Sequence, residues 1–430
     1  MNSMPAPGPG PRGADDAGAG GADGRGGDSG PDDGGPDRGG GGPGRWSARA
    51  EAAAAVVNGR YGHRLMGLPG TWIASVAHPR TGFQWPWSGW HYWWQAHYLD
   101  ALVDAALRHA EQDWTGSPDG VGVHGGAGVP ANSVPPGGFV APGAPELARI
   151  RALLRGIRIR NFARLGNNYF DDMAWLALAA RRASALAAQS GVARWRGARR
   201  ADAVLGSRLR GGQSDRLGGG IYWSTARDYK NTPANGPAAL YFARQGSVDT
   251  AGALVDWLHR ELFDPDAGLY LDGVHPTATG REVERTLYTY NQGPILGALL
   301  ELGSAEQLAR AAELVAAVGR GFAAAEPAGA VVLHGSGDGG LFTGILLRHL
   351  AQAAIDPRLP QETRDVAAAL VEGTAESLWA GRRSTPFLAF PDTTGQTAAE
   401  RFGPDDAVGL SSQLQAWLAF EAADVIERGR

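Results

Sequence analysis

The sequence predicts an all-α domain with minor β-hairpins, on three observations. Apolar residues recur three and four apart through a dozen segments, beginning with RWSARAEAAAAVVNGRYG at residues 45–62. Short turns containing Gly or Pro separate these segments. Extended pieces such as GGGIYWS (218–224) and GLYLDGV (268–274) fall between helices, without the regular strand–helix alternation that builds a parallel sheet. Twelve helices on short turns make six antiparallel hairpins, which either close into a toroid or stack as an open solenoid.

Residues 1–44 contain no Leu, Ile, Val or aromatic residue and are dominated by Gly, Pro and Asp. Such a stretch cannot bury enough apolar area to offset the entropy of ordering it, so a disordered tail is expected. The body, residues 45–430, opens with the 45–62 segment and continues with GWHYWWQAHYLDALVDAALRHA at 89–110. A Gly/Pro-rich run at about 115–145 then interrupts the helices as a loop insertion rather than a domain linker. Ten further helices are predicted at about 146–164, 171–189, 194–208, 235–246, 248–262, 288–302, 305–325, 341–355, 361–380 and 407–427.

At 430 residues and 43% hydrophobic content the chain buries a sizeable core. A net charge of -4 and a pI near 6.2 give no overall attraction to nucleic acid or an anionic membrane. The absence of cysteine rules out disulfides, thiolate nucleophiles and Cys-bound zinc. No segment is long and apolar enough to span a bilayer, and the first residues carry no basic-then-apolar export signal, so a cytoplasmic location is expected. Fourteen Trp supply flat faces suited to core packing and to sugar rings alike.

Chemistry concentrates in GNNYFDDMAWLALAARRASAL, where Asp171 and Asp172 open an apolar-periodic helix directly after polar and aromatic residues. A DD pair in this place is ordinarily a helix cap, accepting backbone N–H bonds. A second pair, Asp405 and Asp406 in FGPDDAVGLSSQLQAW, lacks the preceding Asn-Asn-Tyr-Phe and is assigned to capping. The alternative for Asp171 and Asp172 is glycoside hydrolysis with retention, which needs two carboxyl groups roughly 5–5.5 Å apart, one as nucleophile and one as acid/base. A helix N-terminus favours one ionised carboxylate, and that charge raises the proton affinity of the other.

YFDDMAWLALA (169–179) resembles the Tyr-x-Asp-Asp-x-Ala-Trp signature of glycoside hydrolase family 76. GGGIYWS with YKN (229–231), and LYTYNQGPILGALLEL (287–302), are similar to two further blocks of that family in sequence and order. The resemblance spans about residues 45–427 and implies a closed (α/α)6 barrel and retaining cleavage of α-1,6-linked mannose chains, as an endo-α-1,6-mannanase needing no metal or organic cofactor. It also implies Asp171 as nucleophile and Asp172 as general acid/base, and a location outside the cytoplasm, secreted or at the cell surface. Trp93, Trp94, Tyr169, Tyr222, Trp223 and Tyr290 are candidates to stack on sugar faces, and Asn167, Asn168, Lys230, Asn231, Asn291 and Gln292 to bind hydroxyls. The expected partner is a mannose-containing oligo- or polysaccharide. Two departures bear on substrate: Thr232-Pro233-Ala234-Asn235-Gly236-Pro237 stands where the family commonly has Ala-x-Thr-Asn-Glu, and Thr343-Gly344-Ile345-Leu346-Leu347-Arg348 where it has Lys-Gly-x-Phe-x-Arg. A transglycosidase using the same carboxylates, and a carbohydrate-binding helical scaffold without catalysis, are the alternative functions.

Other signals weigh less. GSGDGG (335–340), between AVVLH and LFTGILLRHL, satisfies the dinucleotide-binding pattern G-x-G-x-x-G, but no second parallel strand follows the helix. His91, His97 and Asp100 lack metal-ligand spacing. No G-x-S-x-G elbow occurs, and Trp175 stands where a D-D-x-x-D metal motif needs its third carboxylate. RIRALLRGIRIRNFAR (149–164) reads as a solvated basic helix face with Ile150, Leu153, Leu154 and Ile157 turned inward.

Overall fold

The computed structural model describes residues 44–80, 90–115, 144–190 and 195–430. The predicted tail and the insertion at about 115–145 lie outside the described residues, apart from their edges. Thirteen α-helices form among the described residues: α1 (Arg45–Val56), α2 (Tyr92–Thr115), α3 (Ala144–Arg160), α4 (Phe170–Gln189), α5 (Arg196–Gly211), α6 (Thr232–Arg244), α7 (Val248–Leu262), α8 (Thr289–Leu302), α9 (Ala305–Gly321), α10 (Gly339–Ile355), α11 (Gln361–Ala380), α12 (Ala398–Arg401) and α13 (Leu410–Gly429). All twelve predicted helices are present. The extra one, α12, is a single turn held by a Thr397–Glu400 capping box, too short to show a period.

Boundaries moved where a turn residue has a second job. The α6 helix starts at Thr232 rather than 235, because Asn231 Oδ1 accepts from Ala234 N and Pro233 fits the first turn. The α13 helix starts at Leu410 rather than 407, because Val408 and Gly409 pair with His78 and Ala77 as a short antiparallel ribbon. Asp405 and Asp406 therefore do not cap α13; Asp406 instead accepts from Gly403 N at 2.8 Å and closes the preceding turn.

Closure is decided by which helices touch. The helices α2, α4, α6, α8, α10 and α13 contact one another in that order, and α13 returns to α2, so the inner ring is closed. The helices α1, α3, α5, α7, α9 and α11 pack outside it, giving the (α/α)6 barrel. Composition sorts the two rings. Inner helices such as α8 and α13 are buried along nearly their whole length, whereas α5, α7 and α9 bury one stripe and turn charged residues outward.

At the seam the Arg108 guanidinium of α2, 1% exposed, meets Glu421 of α13 at 3.1 Å, Glu51 of α1 at 3.0 Å and Ser47 at 3.3 Å. Glu421 also accepts from Trp417 Nε1 at 2.9 Å. Deeper in the ring, Asp100 and Asp104 of α2 pair with Arg182 of α4 and Arg348 of α10. These charges tie three inner helices together away from the end where the helices begin.

Ile150, Leu153, Leu154 and Ile157 of α3 are buried while Arg151, Arg155 and Arg158 are exposed, as predicted. This helix docks through Gly156: a Cβ there would stand 1.9 Å from the Trp72 carbonyl oxygen, on a segment tied to α3 by Trp72 N donating to Ala152 O. Gly156→Ala is expected to cost about 1–3 kcal/mol by overpacking. The check is the denaturant midpoint; an unchanged value would mean that the segment moves aside freely.

The GSGDGG stretch follows no strand, only isolated bridges at Val331 and His334, and it enters an inner barrel helix. Its glycines serve packing and turns. Gly335 and Gly337 take φ of +81° and +65°, and a Cβ on Gly340 would stand 2.7 Å from Ser411 Oγ of α13.

Candidate active site

The inner helices begin at one end of the barrel, and side chains from their first turns converge there. Trp93 of α2 packs against Phe342 of α10, and Phe342 stacks on Tyr290 of α8 with ring centroids 3.9 Å apart. Trp94 of α2 donates from Nε1 to Asp338, which immediately precedes α10, at 3.1 Å. Asp171 and Asp172 belong to the first turn of α4, at the same end of the ring, and these side chains together border the candidate cleft.

Neither aspartate is the helix cap, a position held by Tyr169. Asp171 Oδ2 accepts from Trp223 Nε1 at 3.0 Å, and its carboxylate also receives backbone N–H groups of the helix start. Its Oδ1 is buried with no protein hydrogen-bond partner among the described residues. Asp172 Oδ2 accepts from Asn167 Nδ2 at 2.5 Å, and Asn167 Oδ1 in turn accepts from Tyr169 N at 3.0 Å. The Asn-Asn-Tyr-Phe that precedes the pair thus builds a turn whose first amide is spent on the second carboxylate.

Enclosure by protein pushes both carboxyl groups upward. Asp171 rises to about 7, because desolvation outweighs the backbone and Trp223 hydrogen bonds that favour its charge, and Asp272 nearby adds repulsion. Asp172 is raised well above the ordinary range by desolvation, then by the Asp171 charge, and further by Asp338, against the opposing Asn167 bond. The surroundings therefore disfavour charge on both groups, less strongly on Asp171 than on Asp172, so that the first charge falls on Asp171.

Opposite the pair stands an antiparallel hairpin, Leu269–Pro276 with Arg281–Leu287, that sequence periodicity did not single out as part of a site. It brings in Asp272, whose carboxylate accepts from Tyr229 Oη at 2.8 Å and from Asn291 Nδ2 at 3.0 Å. Glu284 accepts from the same Tyr229 Oη at 3.3 Å. Asp272, Glu284, Asp338 and Phe342 were missed. The available signals were an aspartate inside the extended LYLDGV and the one acidic residue in GSGDGG, the latter just ahead of an inner helix.

Of the predicted binding residues, Trp93, Trp94, Asn167, Tyr169, Trp223, Tyr290 and Asn291 gather around the cleft, and Tyr169 and Trp223 lie with ring centroids 5.0 Å apart. Asn168 is exposed on the adjoining turn. Four others are absorbed by the fold, correcting the expectation that they contact sugar. Lys230 is fully buried and its ammonium donates to the carbonyls of Ser214, Arg216 and Gly219, so it locks the loop ahead of GGGIYWS. Tyr222 is buried beneath that ammonium, 4.8 Å from Nζ to ring centroid. Asn231 caps α6. Gln292 bonds Tyr270 N and O and Tyr288 O, fixing the hairpin to α8.

Both departures from the family pattern are likewise interior. Residues 232–237 are all buried, and Asn235 clamps Ile221 N and O at 2.7 and 2.8 Å. Thr343 and Gly344 pack against Gln415, and Arg348 joins the charges deep in the ring.

The family model described as glycosyl hydrolase family 76 matches residues 160–427. Among solved structures, the chain is similar to the α-1,6-mannanase of Salegentibacter sp. HEL1_6, with 26% identity and a TM-score of 0.70, covering 89% of this chain and 99% of that one. An inactive variant of that mannanase, with two consecutive aspartates changed to asparagine, is bound to α-1,6-mannotriose; it matches at 26% identity and TM-score 0.69 over the same shares of the two chains. A protein from Listeria innocua shares the fold at 22% identity and TM-score 0.68, over 90% of this chain and 98% of that one. Comparison with curated proteins returned no match.

Proposed function

The chain belongs to glycosyl hydrolase family 76, and from that premise we propose that it cleaves α-1,6-linked mannose chains with retention, using Asp171 as nucleophile and Asp172 as general acid/base. The observation that carries the reading is the pair of consecutive carboxylates in the first turn of α4, served by different partners and raised unequally, Asp172 further than Asp171. The Salegentibacter mannanase supports it, because its inactive variants replace two consecutive aspartates and bind α-1,6-manno-oligosaccharides.

In this reading Asp172 donates its proton to the glycosidic oxygen as the C–O bond breaks, and the Asp171 carboxylate closes on the anomeric carbon to form a glycosyl-enzyme. Asp172, now ionised, takes a proton from water, whose oxygen attacks the same carbon and releases Asp171. Trp223 keeps Asp171 charged and aimed. Tyr290, Phe342 and Trp93 supply the aromatic wall against which sugar faces pack.

The test is to incubate the protein with defined α-1,6-manno-oligosaccharides and follow the anomeric proton of the first product by NMR. An α-configured first product is expected. A β product would overturn retention, and no product from folded protein would overturn the substrate. The rate should follow a bell in pH, with an acid limb displaced upward from ordinary carboxylate values toward about 7. Trp223→Phe removes a bond that favours charged Asp171 and should move the acid limb to higher pH. Asn167→Ala removes the matching bond at Asp172 and should move the alkaline limb upward instead. If both variants shift the same limb, the two roles are not divided as proposed.

A further inference from the structure

The turn between α3 and α4 borders an open groove of about 500 Å³ whose lining includes Phe162, Arg164, Asn167, Asn168, Arg208 and Thr225. Asn167 belongs to both places, since its amide also donates to Asp172. Asn167 therefore stands between the groove and the carboxylate pair, one hydrogen bond from Asp172.

Its wall is built rather than incidental. Phe162 and Ala163 take φ of +53° and +60°, a left-handed conformation costly for residues with a side chain. Asn161 Nδ2 holds the turn by donating to Arg164 O at 3.2 Å and Gly166 O at 3.0 Å. Thr225 N donating to Asn168 O at 2.9 Å joins it to the GGGIYWS side. A Cβ on Gly166 would stand 3.7 Å from Arg208 Cγ, which places the Arg208 stem against the turn. The result presents Phe162, 71% exposed, beside two arginines from different elements.

Arg164 and Arg208 are exposed, and neither forms an ion pair with a described carboxylate. Arg151, Arg155 and Arg158 of α3 and Arg199 and Arg200 of α5, helices that pack together, are exposed as well, on a chain whose net charge is -4. A neutral mannose chain offers these cations only hydroxyls. A phosphate ester offers several charged acceptor oxygens, which suits two guanidiniums approaching from separate elements together with amide and hydroxyl donors at Asn168 and Thr225.

We propose that this groove is a subsite for a phosphate ester carried on the glycan, so that the preferred substrate is a phosphorylated α-1,6-mannan. The inference rests on the mannan-cleaving reading above. The phosphate belongs to the glycan, rather than to a membrane surface, because the two arginines line a concavity, not a flat face, and one of its lining residues, Asn167, is bonded to Asp172, beside which a sugar adjoining the scissile linkage would lie.

The experiment compares an α-1,6-manno-oligosaccharide with the same oligosaccharide carrying one phosphate monoester, by kcat/KM and by calorimetric binding, at low and at 0.5 M salt. Wild type is expected to favour the phosphorylated form about tenfold at low salt. That ratio should fall toward one in Arg164→Gln/Arg208→Gln and at high salt. Equal handling of the two oligosaccharides by wild type, or a preference that survives the double substitution, overturns the proposal. So does arginine-dependent binding to vesicles of anionic phospholipid without discrimination between the oligosaccharides, which would make the face a membrane contact. If the protein binds the phosphorylated form selectively but cleaves neither, the subsite stands and the hydrolytic reading fails. If it cleaves both alike, hydrolysis stands and the subsite fails.

Discussion

Asp171→Asn and Asp172→Asn are each expected to lower kcat/KM on α-1,6-manno-oligosaccharides by roughly four orders of magnitude while leaving the fold intact. Asparagine preserves shape and keeps an oxygen for the Trp223 or Asn167 bond, so the loss isolates charge at one position and an exchangeable proton at the other. Stability should move the opposite way. Both groups have folded-state pKa values raised above the unfolded value of about 3.9, so the native state holds protons that the unfolded chain releases. Wild type therefore loses stability as pH rises from about 4 through about 7, and the asparagine variants escape that loss. Melting curves at pH 5 and pH 8 should show each variant more stable than wild type, with the larger gap at pH 8 and on the order of 1 kcal/mol. Variants that retain activity within tenfold of wild type would remove the pair from the mechanism, whatever their stability.

Arg108→Ala is the stability counterpart. It leaves Glu421, 3% exposed, without its guanidinium partner at the junction of α1, α2 and α13. An uncompensated buried carboxylate typically costs about 3–5 kcal/mol, and here the cost falls on the contact that closes the ring. Replacing both partners, as Arg108→Met with Glu421→Leu, removes the stranded charge and is expected to recover part of the loss. Chemical denaturation of the two variants measures the difference. A single variant within 1 kcal/mol of wild type would show that the seam is held by packing alone.

Much of the fold was legible because its helices advertise themselves locally. Periodicity, Gly/Pro turns and caps are short-range properties, and they located every long helix within a few residues. Two of the boundary errors came where one residue serves two elements. Asn231 ends a bridge and caps α6, and Val408 pairs with a strand more than 300 residues earlier, so neither boundary follows from its own neighbourhood. The candidate site was legible in part for the same reason. Asp171, Asp172, Asn167 and Trp223 sit in two short blocks, yet Asp272 joins them from the middle of a hairpin strand and Asp338 and Phe342 from the start of α10, all distant in sequence. Lys230, Tyr222, Asn231 and Gln292 carry the same residue types as sugar ligands and turn out to hold loops, because a buried polar group must first satisfy its own hydrogen bonds.

By itself the sequence determined the number, order and approximate ends of the long helices, and the consecutive aspartates at the start of α4, since each depends on residues within a turn or two. Only the tertiary structure decided that α13 meets α2 to close the ring, which partner each aspartate takes, and which polar side chains face the cleft. Those outcomes depend on burial and on charges brought together from remote parts of the chain, and neither is written in any local stretch.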